Sequence, residues 1–223
     1  TLFKGSSQKL QSYASNAYKT AGLSANDYME TVTGFSASLI QSLGGDTDKS
    51  VKYADMAITD MADNANKMGT DMSLIQNAYQ GFAKQNYTML DNLKLGYGGT
   101  KEEMQRLLSN AEKISGIKYD ISSYADVVDA IHVMQESMDI AGTTAKEAEG
   151  TISGSVNALK SSVTNLVVGF GDANADLGEL CENVVTAFQT VLENISPIVE
   201  NLISALPTVI TTPVSYTHLT LPT

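Results

Sequence analysis

Apolar residues recur every three or four positions along most of this chain, the spacing that places them on one face of an α-helix. Two such stripes come first, over 10–21 and 28–43, and glycines at 22 and at 44–45 are placed to end the two helices. No stretch alternates apolar and polar residues as a half-buried strand does. The pattern therefore predicts an all-α fold, a multi-helix array of helical hairpins with about eight helices.

The spacing becomes strict, alternating steps of three and four residues, in two segments that form coiled-coil-like seams. The first seam consists of Val51, Ala54, Ile58, Met61, Ala65 and Met68. The second seam consists of Ile152, Val156, Leu159, Val163, Leu166 and Phe170. Each seam exposes more apolar surface than one helix can cover, so we interpret both as packing or interaction surfaces, within the chain or against another copy.

Capping residues mark several of the predicted helix starts. Asp71 and either Ser122 or Ser123 are suitable N-caps, and Thr100 followed by Glu103 forms a capping box. One further helix is predicted to begin at Thr143 or Thr144 and to continue to Phe170. That helix contains Gly150 and Gly154, each unfavourable by up to about 1 kcal/mol relative to alanine, so compensating packing is implied.

The segment 173–206 is predicted to be an apolar C-terminal helix with a wide apolar face, kinked by Pro197 near Asn194. The window 195–214 is apolar, but it contains Pro197, Glu200, Asn201 and Pro207, and a continuous membrane span needs about 20 apolar residues. A buried or oligomeric helix is favoured, and membrane contact through 177–206 is the less favoured alternative. Cys181 is predicted to be a small core residue, because free cysteines are usually buried.

The last residues differ from the rest of the chain. From Pro207 the sequence reads PTVITTPVSYTHLTLPT and has no helical periodicity, which predicts an unstructured tail over 207–223. Its end, VSYTHLTLPT, resembles a translated sequencing adaptor, and the alternative is a natural Thr/Pro-rich linker. The other predicted regions are an N-terminal helical hairpin over 1–45 and a main helical region over 46–172.

Charge and composition exclude several kinds of function. The 223 residues include 25 acidic and 14 basic ones, a net charge of -11, which opposes binding to a phosphate backbone. We therefore expect no specific nucleic-acid binding. A single cysteine cannot form an internal disulfide, so stability must come from packing. The chain begins without an initiator methionine, and we expect it to be a segment of a longer protein.

The sequence predicts no catalytic, cofactor-binding or metal site. His132 stands beside an apolar stripe, where a solvated or flanking histidine is expected, and His218 lies in the suspect tail. The run GYGGTK at 96–101 lacks the residue order of a phosphate-binding loop and is interpreted as a helix terminator. Acidic clusters at 46–50 and 172–176 resemble the start of a calcium loop but lack its later ligands, so we expect their carboxylates at helix N-termini.

Several segments, in order, resemble the tail tape measure proteins of long-tailed bacteriophages and prophages. They are NANKMG at 64–69, NAYQGFAKQNYTMLDNLKLGYGGTKEEM at 77–104, SGIKYDISSYADVVDAIH at 115–132 and GTTAKEAEGTISGSV at 142–156. The resemblance implies a structural protein of the virion tail, present in the host cytoplasm during assembly, that helps set tail length and organise the tail tube. It implies self-association and contacts with tail tube, tail tip and tail assembly chaperone proteins.

Within this family the chain is expected to be either an extended ruler, rising 1.5 Å per helical residue, or a folded organising module. The many glycine interruptions favour the folded module. A helical bacterial surface or secreted interaction protein remains an alternative, because such helices have a similar composition. Some tape measures carry cell-wall hydrolase domains, but the absence of a plausible catalytic constellation in this sequence argues against a hydrolase.

Overall fold

Helices account for all of the regular structure in the computed structural model, which describes residues 3–211. Helix makes up 76% of the structure and no strand occurs in this part of the chain, so the all-α prediction is confirmed. The described residues form ten α-helices where about eight were expected. In chain order they are α1 (Ser7–Thr20), α2 (Ala25–Thr33), α3 (Ser36–Ser42), α4 (Thr47–Met68), α5 (Met72–Phe82), α6 (Lys101–Ser115), α7 (Tyr124–Ser137), α8 (Thr143–Gly150), α9 (Ile152–Gly169) and α10 (Leu177–Thr211), with short 3-10 helices at Lys4–Ser6 and Leu90–Leu93.

The prediction of one helix over 28–43 is wrong, because the chain bends between α2 and α3. At the bend Gly34 lies against the side chain of Gln80, and a Cβ atom there would collide with it. The bend directs the ring of Phe35 into the core, where it meets the edge of Tyr124 at 6.0 Å between ring centroids. The chain leaves the helical conformation at Phe35, which is buried.

The prediction of one helix from residue 143 to 170 is also wrong. Thr151 adopts an extended conformation that ends α8, and its side chain accepts a hydrogen bond from the N–H of Gly154 to begin α9. The first turn of α9 packs directly on the backbone of Glu147 in α8, and a Cβ atom at position 154 has no room. Gly154 is thus required by this corner between two helices.

Several predicted caps are confirmed. The side chains of Asp71, Thr100 and Ser123 each accept a backbone N–H at the start of α5, α6 and α7. The second half of the predicted capping box differs, because the Glu103 carboxylate accepts the N–H of Gly98 at 3.0 Å. The bond therefore ties the preceding loop to α6.

Helix α4 lies at the centre of the fold and packs against α1, α2, α3, α5, α7 and α8. Within the first predicted seam, the residues with no exposed surface are Val51, Ala54, Ile58 and Met61. Ala65 and Met68 are half-buried against the same core. Neighbouring helices of this chain therefore cover most of that seam.

One hydrophobic core includes residues from Phe3 to Ile140. It draws on both predicted regions 1–45 and 46–172, which therefore pack together. Fully buried Tyr28, Tyr79 and Phe82 are among its largest side chains, and burying a large apolar side chain contributes about 1.5–3 kcal/mol. We call this part of the protein, from the first 3-10 helix to α8, the body.

Helix α10 continues without interruption through Pro197 and past Pro207 to Thr211, so its predicted end at residue 206 is wrong. A proline removes only its own N–H from the helical hydrogen bonding, and neighbouring bonds sustain the helix around it. Residues 212–223, which include His218, lie outside the described residues. Among the residues described, no helix combines the length and the apolar character needed to cross a membrane.

Candidate interaction surface

Helices α9 and α10 form an antiparallel hairpin. At one end, Gly169 of α9 lies against Leu180 of α10, and a larger residue at 169 would collide with that side chain. At the other end, the side-chain amide of Asn194 donates hydrogen bonds to the carbonyl oxygens of Glu149 and Thr151, at 3.2 and 3.1 Å. Contacts at both ends therefore hold the two helices in register.

Small and polar side chains attach the hairpin to the body. The Ser161 hydroxyl donates to a backbone carbonyl between α1 and α2 at 3.0 Å. The Asn165 side chain accepts the N–H of Ala25 at 2.8 Å, at the first turn of α2. The Tyr18 hydroxyl donates to the side-chain oxygen of Asn183 in α10 at 3.0 Å. One side of each hairpin helix is thereby directed toward the body.

The buried side of α9 is offset from the second predicted seam. The buried residues are mostly small: Ser155, Ala158, Ser162, Asn165 and Gly169. Their size permits close packing against neighbouring helices. The seam residues divide into half-buried Ile152, Leu159 and Leu166, and exposed Val156, Val163 and Phe170. Half of this seam therefore remains uncovered in the chain.

Helix α10 carries a third row of apolar residues with alternating steps of three and four. The row consists of Val185, Phe188, Leu192, Ile195, Val199 and Leu202. Ile195 is half-buried, and the other five are between 44% and 61% exposed. The wide apolar face of this segment is evident in the sequence. Within that face, the alternating steps of three and four residues identify the row that is exposed.

Where α9 and α10 run side by side, their exposed apolar residues lie on the side of the hairpin away from the body. Asn194 contacts Thr151 at the start of α9, so α10 extends past α9 beyond that point. Leu202 is exposed there although it points within about 20° of the buried Val191. Residues two positions apart in an α-helix point about 200° apart. Val163 follows the body-facing Ser161 by two positions, and Val185 follows the body-facing Asn183 by two. We call the exposed apolar surface of the hairpin the outer face, and its residues are Val156, Val163, Val167, Phe170, Val185, Phe188, Leu192, Val199, Leu202 and Ile203.

A buried ion pair joins α4 to α7 inside the body. The Nδ1 atom of His132 lies 2.9 and 3.1 Å from the two carboxylate oxygens of Asp60. Burial raises the pKa of Asp60 to about 6, with the hydrogen bond from His132 opposing the rise. The bond to Asp60 in turn raises the pKa of His132. The sequence predicts a solvated or flanking His132, whereas the structure pairs it with an aspartate 72 residues away.

The geometry of this pair supports a structural role. The other ring nitrogen of His132 lies 3.5 Å from the Glu136 carboxylate, so both nitrogens face acidic groups. No hydroxyl or thiol is hydrogen-bonded to the ring in the described part of the chain. A histidine and aspartate without a nucleophile do not form a catalytic triad. The pairing of Asp60 with His132 was not predicted from the sequence. The one sequence feature that could have indicated it is the position of an acidic residue within an apolar segment of α4.

Asp63, one turn further along α4, is fully buried and supports the start of α8. Its two carboxylate oxygens accept the N–H groups of Gly142 at 2.6 Å and Thr144 at 2.8 Å. The first N–H groups of a helix have no partner within the helix, and a carboxylate there also interacts favourably with the helix dipole. Asp63 thus positions α8, on which the hairpin rests.

The acidic clusters lie at helix starts, where the sequence places them. Asp46 accepts the N–H of Lys49 in the first turn of α4, and Asp176 accepts the N–H of Glu179 in the first turn of α10, both at 3.0 Å. No group of three His, Cys, Asp or Glu side chains is arranged to bind a metal ion in the region the structure covers.

The loop at 96–101 acts as a connector held to the helix that follows it. Arg106 of α6 donates to the carbonyl oxygen of Gly96 at 2.8 Å and stacks 4.3 Å from the ring of Tyr97. Gly99 packs against the backbone of Thr88 and has no room for a side chain. The segment is thus part of the loop between the 3-10 helix Leu90–Leu93 and α6.

Cys181 is exposed on α10, and its prediction as a core residue is wrong. It lies four positions before Val185, on the outward side of the helix. The body contacts of α10 come from Asn183 and Asn194, on the opposite side. The general tendency of free cysteines to be buried does not hold on a helix with an uncovered apolar side.

Comparisons with known proteins give no relative for this fold. No protein-family model matches the chain, and neither the curated proteins nor the solved structures contain a match.

Proposed function

We propose that this chain is a structural segment of the tail tape measure type, which helps set tail length and organise assembly of the tail tube. The proposal rests on the four ordered segments between 64 and 156 that resemble this family. Its expected location is the virion tail, and the host cytoplasm during assembly. Its expected partners are the tail tube, tail tip and tail assembly chaperone proteins.

The observation that best supports one version of this role is the single core that includes residues from Phe3 to Ile140. Helices of 7–22 residues fold back around α4 in the body, so distant parts of the chain are brought together. A ruler requires an extended chain in which each residue adds about 1.5 Å. The folded core therefore favours an organising module over a ruler segment.

The proposed role depends on binding surfaces and requires no catalytic residue. The outer face of the hairpin is an exposed apolar surface of the kind that marks protein interaction sites. The buried Asp60 and Asp63 both have partners inside the body, which is consistent with structural use.

An in-frame deletion in the parent phage tests the proposal. Removing the codons for residues 3–204 is expected to abolish tail assembly, measured by electron microscopy of lysates and by infectious titre. An intact gene supplied in trans is the control and should restore tails. A second deletion, of 152–204 alone, separates the contribution of the α9–α10 hairpin from that of the body.

The outcomes distinguish the possible roles. Tails shortened by about 1.5 Å per deleted residue would identify an extended ruler and contradict the organising module. Tails of normal length and normal infectivity would contradict the tape measure role altogether. That result would favour a helical surface or secreted interaction protein.

A further inference from the structure

We propose that the outer face of the α9–α10 hairpin binds the same face of a second copy of this chain, so that two hairpins form a four-helix bundle. The inference rests on the geometry of the hairpin and does not depend on a tape measure role. The proposal names the partner, a second copy of the chain, for an apolar surface that the chain itself leaves exposed.

The outer face is large for an exposed apolar surface. Its ten apolar residues leave on the order of 900 Å² exposed, more than the roughly 300–600 Å² of the largest patch on a typical monomer. Each partner in a standard protein interface buries about 800 Å². The outer face is therefore comparable in area to one side of a standard interface.

The apolar row along α10 has the spacing of a coiled-coil seam. The row from Val185 to Leu202 follows the a/d pattern of a coiled coil, and extends over about 26 Å of helix. Side chains in this pattern insert between those of a facing helix with the same pattern. A second α10 supplies that pattern, and α9 adds Val156, Val163 and Phe170 beside it.

Few charges flank the α10 row. With Val185 at position a, the residues beside the row at positions e and g are Glu182, Gln189, Ser196, Ile203, Val184, Val191 and Ile198. Only Glu182, at the N-terminal end of the row, is charged, and Glu193 and Glu200 fall at position b, away from the row. Two copies with a net charge of -11 each can therefore meet along most of this row without placing like charges together.

A self-complementary surface suits a two-fold symmetric dimer, in which the same patch is used on both chains. An uncharged apolar row has this property. The same acidic chain is repelled by anionic membrane surfaces, which attract basic segments. These observations favour a second copy over a lipid surface as the occupant.

Sedimentation equilibrium of the full chain tests the proposal at concentrations from about 1 to 100 μM. The expected mass is twice the 23.7 kDa of one chain. Leu192→Glu, which places a carboxylate from each copy in the centre of the interface, should raise the dimer Kd by more than about tenfold.

Thr186→Glu is the matched control. It introduces the same charge on the same helix, at position b, where the Thr186 hydroxyl bonds only to the carbonyl oxygen of Glu182 in its own helix. Its dimer Kd should equal that of the unmodified chain. Circular dichroism should show unchanged helix content in both variants, since Leu192 is half-exposed and supports no core contact in the body.

A monomeric chain over the whole concentration range would overturn the proposal. So would a Leu192→Glu variant that associates as tightly as the Thr186→Glu control, because the contact would then lie elsewhere. A monomer that binds phosphatidylcholine vesicles would assign the face to a membrane surface instead. Sedimentation of the unmodified chain, sedimentation of the variants and vesicle binding all use the isolated protein. A negative result for the dimer is therefore distinguishable from failure of the proposed tail function, which is tested in phage.

Discussion

The imidazole of His132 contacts the buried carboxylate of Asp60 at 2.9 Å, and this contact joins α7 to the central helix α4. The Asp60 side chain is 2% exposed and that of His132 is 27% exposed. Burial raises the pKa of Asp60, and the bond to Asp60 raises the pKa of His132. Both groups therefore hold protons more tightly in the folded chain than in the unfolded chain.

The free energy of unfolding should accordingly fall as the pH rises. The pKa of Asp60 increases from 3.8 to about 6, so its contribution is present below pH 4 and lost as the pH passes 6. His132 adds a loss above its ordinary pKa of 6.5. Urea unfolding measures the free energy of unfolding at pH 5 and at pH 8. The difference between the two values should be smaller in Asp60→Asn than in the unmodified chain, by on the order of 1–3 kcal/mol.

The exposed Glu149 provides the control for this measurement. Glu149→Gln removes one carboxylate that is exposed on α8, outside the Asp60–His132 pair, so it controls for the loss of a negative charge. An Asp60→Asn variant with the same pH dependence as Glu149→Gln would contradict the assignment of the slope to the buried pair.

Asp63→Ala should destabilise the chain by about 2–4 kcal/mol, because the N–H groups of Gly142 and Thr144 would lose their acceptors. Asp71→Ala is a suitable comparison. Asp71 is an exposed N-cap that accepts the N–H of Ser73, and its loss should cost only about 1 kcal/mol. Equal effects in urea unfolding would show that Asp63 does no more than an ordinary surface cap.

Two glycines four residues apart offer a test of the corner between α8 and α9. Gly154→Ala should destabilise the chain by more than about 2 kcal/mol, because the new Cβ would collide with the backbone of Glu147. Gly150→Ala meets no atom within 4 Å and should be neutral or stabilising by up to about 1 kcal/mol. Thermal unfolding followed by circular dichroism compares them directly. Equal Tm values would exclude the close contact.

The Cys181 thiol should react in the native protein. A disulfide reagent such as dithiobis-nitrobenzoate, added to dilute protein without denaturant, is expected to modify one thiol per chain, because Cys181 is exposed. A thiol that reacts only after urea is added would place Cys181 in a core, as the sequence suggests.

Local features of the fold could be predicted from sequence wherever the signal lies within one helix. The seam from Val51 to Met68 has an unbroken apolar pattern, and the caps Asp71 and Thr100 are short-range motifs. The all-α class follows from the same periodicity. Each of these features can be predicted without knowing which residues of other helices pack against it.

Features that depend on distant contacts could not be predicted in this way. The bend between α2 and α3 places Phe35 against Tyr124 of α7, and the corner at Thr151 brings Gly154 against the backbone of Glu147. On α9 the small-residue side packs against the body although the seam is more apolar, because small side chains allow helices closer approach. The periodicity of apolar residues identifies the most hydrophobic face of a helix. It does not show which face fits closely against a neighbouring helix.

The attachment of the hairpin to the body also sets an order of local unfolding. The small cluster that joins them contains Tyr18, Ala148, Ala158 and Ala187, with Leu159 packed against it. This cluster has far fewer apolar side chains than the core around α4, so the hairpin should open at a lower free energy than the body. Hydrogen exchange should therefore be faster for the amides of α9 and α10 than for those of α4. The hairpin should therefore open and close while the body keeps its shape.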